Sequence, residues 1–102
     1  MSIVGDMVSM VKREIAKRKI DNLFKDLQEQ ERVAESHLEK GLINRQTAAQ
    51  YYRSAYNMGL KQLKNLDNEY NLKELGIDFT IIKLSLKQLK RKEKEMDSSL
   101  TI

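Results

Sequence analysis

Proline is absent from the 102 residues of this chain, and glycine occurs only four times. Strands joined by tight turns depend on both residues, because proline presets the backbone of a turn and glycine adopts left-handed conformations at no steric cost. A chain with so few of them is predicted to be helical. Its length allows one domain with one hydrophobic core.

The clearest helical pattern runs from Thr47 to Tyr70, where one face repeats at spacings of three and four residues. That face consists of Ala48, Tyr52, Ala55, Gly59, Leu63, Leu66 and Tyr70. Small residues in its first half allow a neighbouring helix to approach closely, so we expect the members from Ala48 to Leu63 to form a helix crossing. Asn44 is the predicted N-cap, and Gly41 is predicted to end the preceding helix.

A further helix is predicted to begin at Asp78, a capping residue that follows a break at residues 71–76. Its apolar positions are Phe79, Ile82, Leu86, Leu89 and Met96. Glu93 interrupts this stripe, and lysines occupy much of the remaining surface. We therefore expect an amphipathic helix with a hydrated outer face.

Residues 4–40 carry one continuous helical pattern whose apolar face changes direction. The first stripe consists of Val4, Met7, Val8, Val11 and Ile15, and the second of Ile20, Leu23, Phe24, Leu27, Ala34 and Leu38. At 3.6 residues per turn the two stripes lie roughly 160° apart. Extending the second stripe backwards reaches Ala16, Arg13 and Ser9, which we do not assign to a core.

Two structures fit this change of direction. Either the helix breaks near residues 19–22, with Asp21 as a new N-cap, or one straight helix presents residues 4–15 and residues 20–38 to different partners. The predicted fold is an all-α, antiparallel three-helix bundle with an N-terminal helical extension or one long first helix. Its parts are a basic amphipathic segment (1–19), the bundle (20–96) and a frayed tail (97–102).

The net charge of +4 is unevenly distributed along the chain. One basic cluster consists of Lys12, Arg13, Lys17, Arg18 and Lys19, and the other of Lys87, Lys90, Arg91 and Lys94. Residues 21–40 are acidic on balance and would repel phosphate. The basic clusters favour either nucleic acid or, through the N-terminal segment, an anionic membrane surface.

The residues that support catalysis or metal binding are scarce. Cysteine is absent, which excludes thiolate chemistry, and His37 is the single histidine. Glu31, Glu35 and Glu39 share a helix face, but acids at this spacing are typical of a solvated surface. We predict no enzyme activity, no metal and no cofactor, and the N-terminus lacks a secretory pattern, which predicts a cytoplasmic protein.

The stretch from Gly41 to Leu63 contains the order Ala-x-x-x-Tyr-x-x-Ala at Ala48, Tyr52 and Ala55. This stretch resembles the middle of the microtubule-interacting and trafficking (MIT) domain family and, more loosely, tetratricopeptide repeats. In those families the alanines let a helix nest in a three-helix arrangement that binds short segments of partner proteins. The resemblance implies such an arrangement and such a partner here.

These observations favour a non-enzymatic helical adaptor or assembly subunit that binds protein partners, or copies of itself, through exposed apolar helix faces. The stripe from Val4 to Ile15 is the predicted binding face, because it cannot join the core of its own helix. A nucleic-acid-associated protein and a peripheral membrane protein are the alternatives.

Overall fold

The computed structural model of the chain describes residues 3–98, and the side chains of residues 7–97. Within that range it contains three helices and no strand: α1 (Ile3–Glu39), α2 (Arg45–Tyr70) and α3 (Thr80–Ser98). The predicted all-α three-helix bundle is confirmed. Asp97 and Ser98 belong to α3, although we expected a tail from residue 97 onwards, and residues 99–102 of that tail lie outside the described residues.

The first helix is a single uninterrupted element. α1 continues through residues 19–22, so the alternative of a break capped by Asp21 is wrong and that of one long helix is correct. Its 37 residues correspond to about 55 Å of helix. This length explains the elongated shape of the molecule, which measures 64 × 22 × 16 Å.

The turn between α1 and α2 is defined by the two predicted capping residues. Gly41 has a φ of 75°, and the N–H of Leu42 donates to the carbonyl of His37 at 2.9 Å, as in a Schellman motif. The N–H of Thr47 then donates to the Asn44 side chain at 2.8 Å. Because both ends are capped by local bonds, the chain reverses direction within five residues.

The connection between α2 and α3 contributes to the core. Gly76 has a φ of 69°, and the N–H of Ile77 donates to the carbonyl of Leu72 at 3.0 Å. Both of these apolar side chains are buried, so the turn closes one end of the bundle. The Asp78 side chain accepts a bond from the N–H of Thr80 at 2.9 Å, and bonds from the Thr80 side chain and backbone lower the pKa of Asp78. α3 itself begins at Thr80, two residues later than predicted.

The core is built on α2, which packs against both other helices, whereas α1 and α3 contact each other least. The five predicted crossing residues, Ala48, Tyr52, Ala55, Gly59 and Leu63, are all buried. A Cβ atom at Gly59 would lie 2.7 Å from Leu27 Cδ2 and 2.8 Å from Leu86 Cδ2. Side chains of α1 and α3 therefore both pack closely against α2 at Gly59.

Ala16 is fully buried and belongs to the core, so the prediction that the core begins at Ile20 was wrong. The α2–α3 connection also lies against this part of α1. Ile77 and Gly76 of this connection line a shallow pocket together with Ile20. Burial thus extends one helical turn further than the apolar pattern of α1 indicates.

We expect Gly59→Leu and Ala55→Leu to lower the free energy of unfolding by about 1–3 kcal/mol, because a large side chain at a close helix crossing overpacks the core. Gln50→Leu, on the exposed side of α2, is the matched control and should change it by less than about 0.5 kcal/mol. Urea denaturation of the three variants measures the difference. Equal midpoints would show that α2 does not pack through this face.

Candidate interaction surface

Residues 3–15 of α1 extend beyond the hydrophobic core, and we call this segment the α1 overhang. Among the described side chains the first core residue is Ala16, and the α2–α3 connection reaches the level of Arg13, with which Gly76 and Ile77 share a pocket. Thirteen helical residues correspond to about 20 Å. Up to about the level of Arg13, the α1 overhang is therefore a lone helix at one end of the bundle.

The apolar side chains of the α1 overhang are exposed. The relative exposures are 60% for Met7, 50% for Val8, 57% for Val11 and 41% for Ile15. Met10, which the stripe did not include, is 68% exposed. The side chain of Val4 lies outside the described residues. Five exposed large apolar residues on three turns of one helix form a contiguous surface of the kind that marks an interaction site.

This apolar surface points away from the bundle. Ala16, Ile20 and Leu23 face α2 and α3, whereas Val11 and Ile15 lie on the other side of the same straight helix. The predicted change of direction between the two stripes is therefore present. Because the bundle is on the opposite side, neither α2 nor α3 shields the surface.

The N-terminal basic cluster surrounds the base of the α1 overhang. Lys12, Arg13, Lys17 and Arg18 are exposed and form no ion pair among the side chains of residues 7–97. The ammonium of Lys19 lies 5.1 Å from the centre of the Tyr70 ring, and a hydrogen bond to Tyr70 raises the pKa of this lysine. Four of the five cations are thus available to an anionic partner.

The C-terminal basic cluster is partly neutralised within the fold. Lys90 approaches Glu93 at 3.5 Å, and Arg91 approaches Glu95 at 3.7 Å. Lys87 and Lys94 are exposed. The C-terminal basic cluster lies on α3, which runs parallel to α1, at the level of residues 28–36 of α1. Measured along the helices, it is about 25 Å from the N-terminal basic cluster. The structure therefore does not bring the two basic clusters together.

Lys92 pairs with the acidic face of α1. Its ammonium binds Glu31 at 2.7 Å and also binds Glu35. This lysine thus links α3 to α1 and pairs with two of the three acids on that face. Burial raises the pKa of Glu31, bonds from Lys92 and Gln88 lower it, and the net effect is a lowered pKa. No group of acids and histidine suited to a metal occurs among the described residues.

Glu93 forms a buried ion pair that the sequence did not predict, since the pattern showed only that Glu93 interrupts the apolar stripe of α3. It is 5% exposed, and its Oε1 accepts a bond from Arg53 Nε of α2 at 2.7 Å. Its Oε2 makes no hydrogen bond, and Lys90 approaches it at 3.5 Å. Burial by itself raises the pKa of the Glu93 carboxyl. The bond from Arg53 and the charge of Lys90 outweigh burial, so the pKa lies below its usual 4.5.

The aromatic side chains offer little surface to a nucleic acid. Tyr52 is buried, and Tyr56 and Tyr70 are half-buried. Tyr51 is 38% exposed, and its ring packs edge-on against His37 with 6.1 Å between the ring centres. Stacking of bases requires exposed ring faces, which these tyrosines largely lack.

Comparison of the chain with protein-family models, with curated proteins and with solved structures found no match in any of the three. The similarity to MIT domains and tetratricopeptide repeats stays a prediction. Among the described residues, no helix has the length and apolar character needed to cross a bilayer.

We expect Glu93→Gln to lower the free energy of unfolding at pH 7 by about 1–3 kcal/mol, because it removes a buried charge-assisted bond. The pKa of Glu93 is lower in the folded protein than its value near 4.5 in the unfolded chain, so the ionised carboxyl stabilises the fold fully at pH values above 4.5. This stabilisation is lost as the pH falls through the pKa of the folded state. The difference between wild type and Glu93→Gln should therefore shrink between about pH 5 and pH 3.

Chemical denaturation at pH 7, 5 and 3 measures this difference. Glu29→Gln is the control, because Glu29 pairs with Arg32 on the surface of a single helix. A constant difference between wild type and Glu93→Gln across this pH range would contradict a role for the Glu93 charge.

Proposed function

We propose that this chain is a non-enzymatic helical adaptor or assembly subunit that binds a protein surface through the α1 overhang. The exposed apolar stripe of Met7, Val8, Val11 and Ile15 is the observation that carries the proposal. These side chains lack any cover within the described chain, and covering them would remove apolar surface from water.

The bundle supports this role because it is held together independently of the α1 overhang. The links from Lys92 to α1 and from Arg53 to α3 lie at the far end of the helices, well beyond Ala16. Partner binding at residues 7–15 therefore requires no rearrangement of the core. Such a division between a folded platform and a projecting helix suits an assembly subunit.

The protein-binding proposal is favoured over a nucleic-acid role by the charge distribution. The two basic clusters are about 25 Å apart along the helices, and the acidic residues Asp21 and Asp26 of α1 lie between their levels and would repel phosphate. A nucleic acid would also compete with Glu93 and Glu95 for Lys90 and Arg91. A membrane surface uses the same face as a protein partner, so the experiment below separates those two partners.

Site-specific photo-crosslinking tests the proposal. A photoreactive amino acid replaces Val11 in one variant and Leu84 in the other, and both are irradiated in the cells that express the chain. Leu84 is the matched control, because it is an exposed apolar residue, 58% accessible, on α3. We expect protein adducts at position 11 in clear excess over position 84, and the additional change Val8→Glu should suppress them.

Equal protein adducts at the two positions would contradict the proposal. Sedimentation of the purified chain with vesicles of anionic or neutral lipid, and with duplex DNA, then identifies the other partner classes. Binding that needs anionic lipid and is lost with Val8→Glu/Val11→Glu would indicate a membrane-surface protein instead.

A further inference from the structure

The α1 overhang has a spacing that makes it complementary to itself. Positions 4, 8, 11 and 15 alternate steps of four and three residues, which is the seam of a two-stranded coiled coil. Consider a two-fold axis perpendicular to the helix, between Ser9 and Met10. It places position 8 opposite position 11 of a second copy, and position 4 opposite position 15. Each of these four positions then meets another apolar position.

From this we infer that the occupant of the surface is a second copy of the chain, whose α1 overhang packs antiparallel against the first. This inference rests on the proposed function and specifies its partner. The described side chains at the contact are Val8, Val11 and Ile15, with Met7 at its edge. All four are at least 41% exposed in the single chain.

Charge on the same face of α1 selects the antiparallel direction. The seam continues to Arg18, Asn22 and Lys25, all of which are exposed. In a parallel pair Arg18 and Lys25 would each face their own counterpart in a low-dielectric contact, which is repulsive. In the antiparallel pair the overlap ends at position 15, and the two Arg18 residues are about 25 Å apart along the helix axis.

The shape of the monomer allows this pairing. The core occupies the opposite side of α1 and begins only at Ala16, so two α1 overhangs of about 20 Å overlap completely before the bundles meet. The bundles then lie at opposite ends of the dimer. A contact limited to one short helix from each copy is at the small end of interface sizes, so we expect a dimer that dissociates on dilution.

Sedimentation equilibrium of the full chain tests whether it forms a dimer. The protein concentration is varied from about 5 to 500 µM, because small interfaces give weak complexes. Wild type should approach twice the monomer mass of 11.9 kDa at the highest concentration. Val8→Glu/Val11→Glu should remain monomeric with unchanged helicity by circular dichroism. Ile81→Glu/Leu84→Glu is the matched control, with the same spacing and charge on exposed α3 residues, and should still dimerise.

Spin labels distinguish the two directions. The chain has no cysteine, so Asn22→Cys supplies a single label per copy at an exposed position of α1. Pulsed electron spin resonance should give a separation near the 37 Å that the antiparallel register predicts from about 1.5 Å per residue. A parallel pair would give about 10 Å, the ordinary spacing of packed helices.

The outcomes separate the inference from the proposed function. A dimer with short label distances would overturn the antiparallel arrangement. A wild type that stays monomeric at all concentrations would overturn the inference that a second copy of the chain binds the α1 overhang. In that case, adducts at position 11 to a different protein would leave the proposed function standing, whereas their absence would remove both.

Discussion

The close approach of three helices at Gly59 is the contact on which the rest of the fold depends. Leu27 of α1 and Leu86 of α3 place their methyl groups where a Cβ of residue 59 would stand. The missing side chain lets both outer helices reach α2 at one level. Ala48 and Ala55 continue this small face, so α2 can serve as the centre of a core in which α1 and α3 contact each other least. A short chain thereby gains dense packing at the centre of its core.

Two charged contacts then bind α3 to its neighbours. Arg53 reaches Glu93 from α2, and Lys92 reaches Glu31 and Glu35 on α1. A buried carboxylate is costly unless it is paired, so a shift of α3 along α2 would leave Glu93 without Arg53. The Arg53–Glu93 pair therefore disfavours other registers of α3 against α2. The apolar stripe of α3 alone would tolerate a shift of α3 by one helical turn along α2.

The unequal lengths of the helices create the candidate interaction surface. α1 has 37 residues, whereas α2 has 26 and α3 has 19. Since α1 and α2 are level at the turn near Gly41, the excess length of α1 emerges at the other end. Its apolar side chains face away from the core, and its cations carry no ion pair among the described side chains. The structural role thus lies in the bundle, and the proposed binding role lies in the α1 overhang.

The sequence by itself determined the helices, their caps and the two directions of the apolar stripes on α1. These features depend on residues three or four positions apart, as in the bond between Asn44 and Thr47, and such local interactions are legible in a pattern. Only the tertiary structure decided that α1 continues through residue 21, because a break and a straight helix satisfy the same local rules. It also decided that Ala16 is buried, because that burial comes from the packing of the whole bundle and not from the local pattern of α1. The pairing of Glu93 followed the same logic, because its cation, Arg53, is 40 residues away in the chain and adjacent only after α2 and α3 have packed.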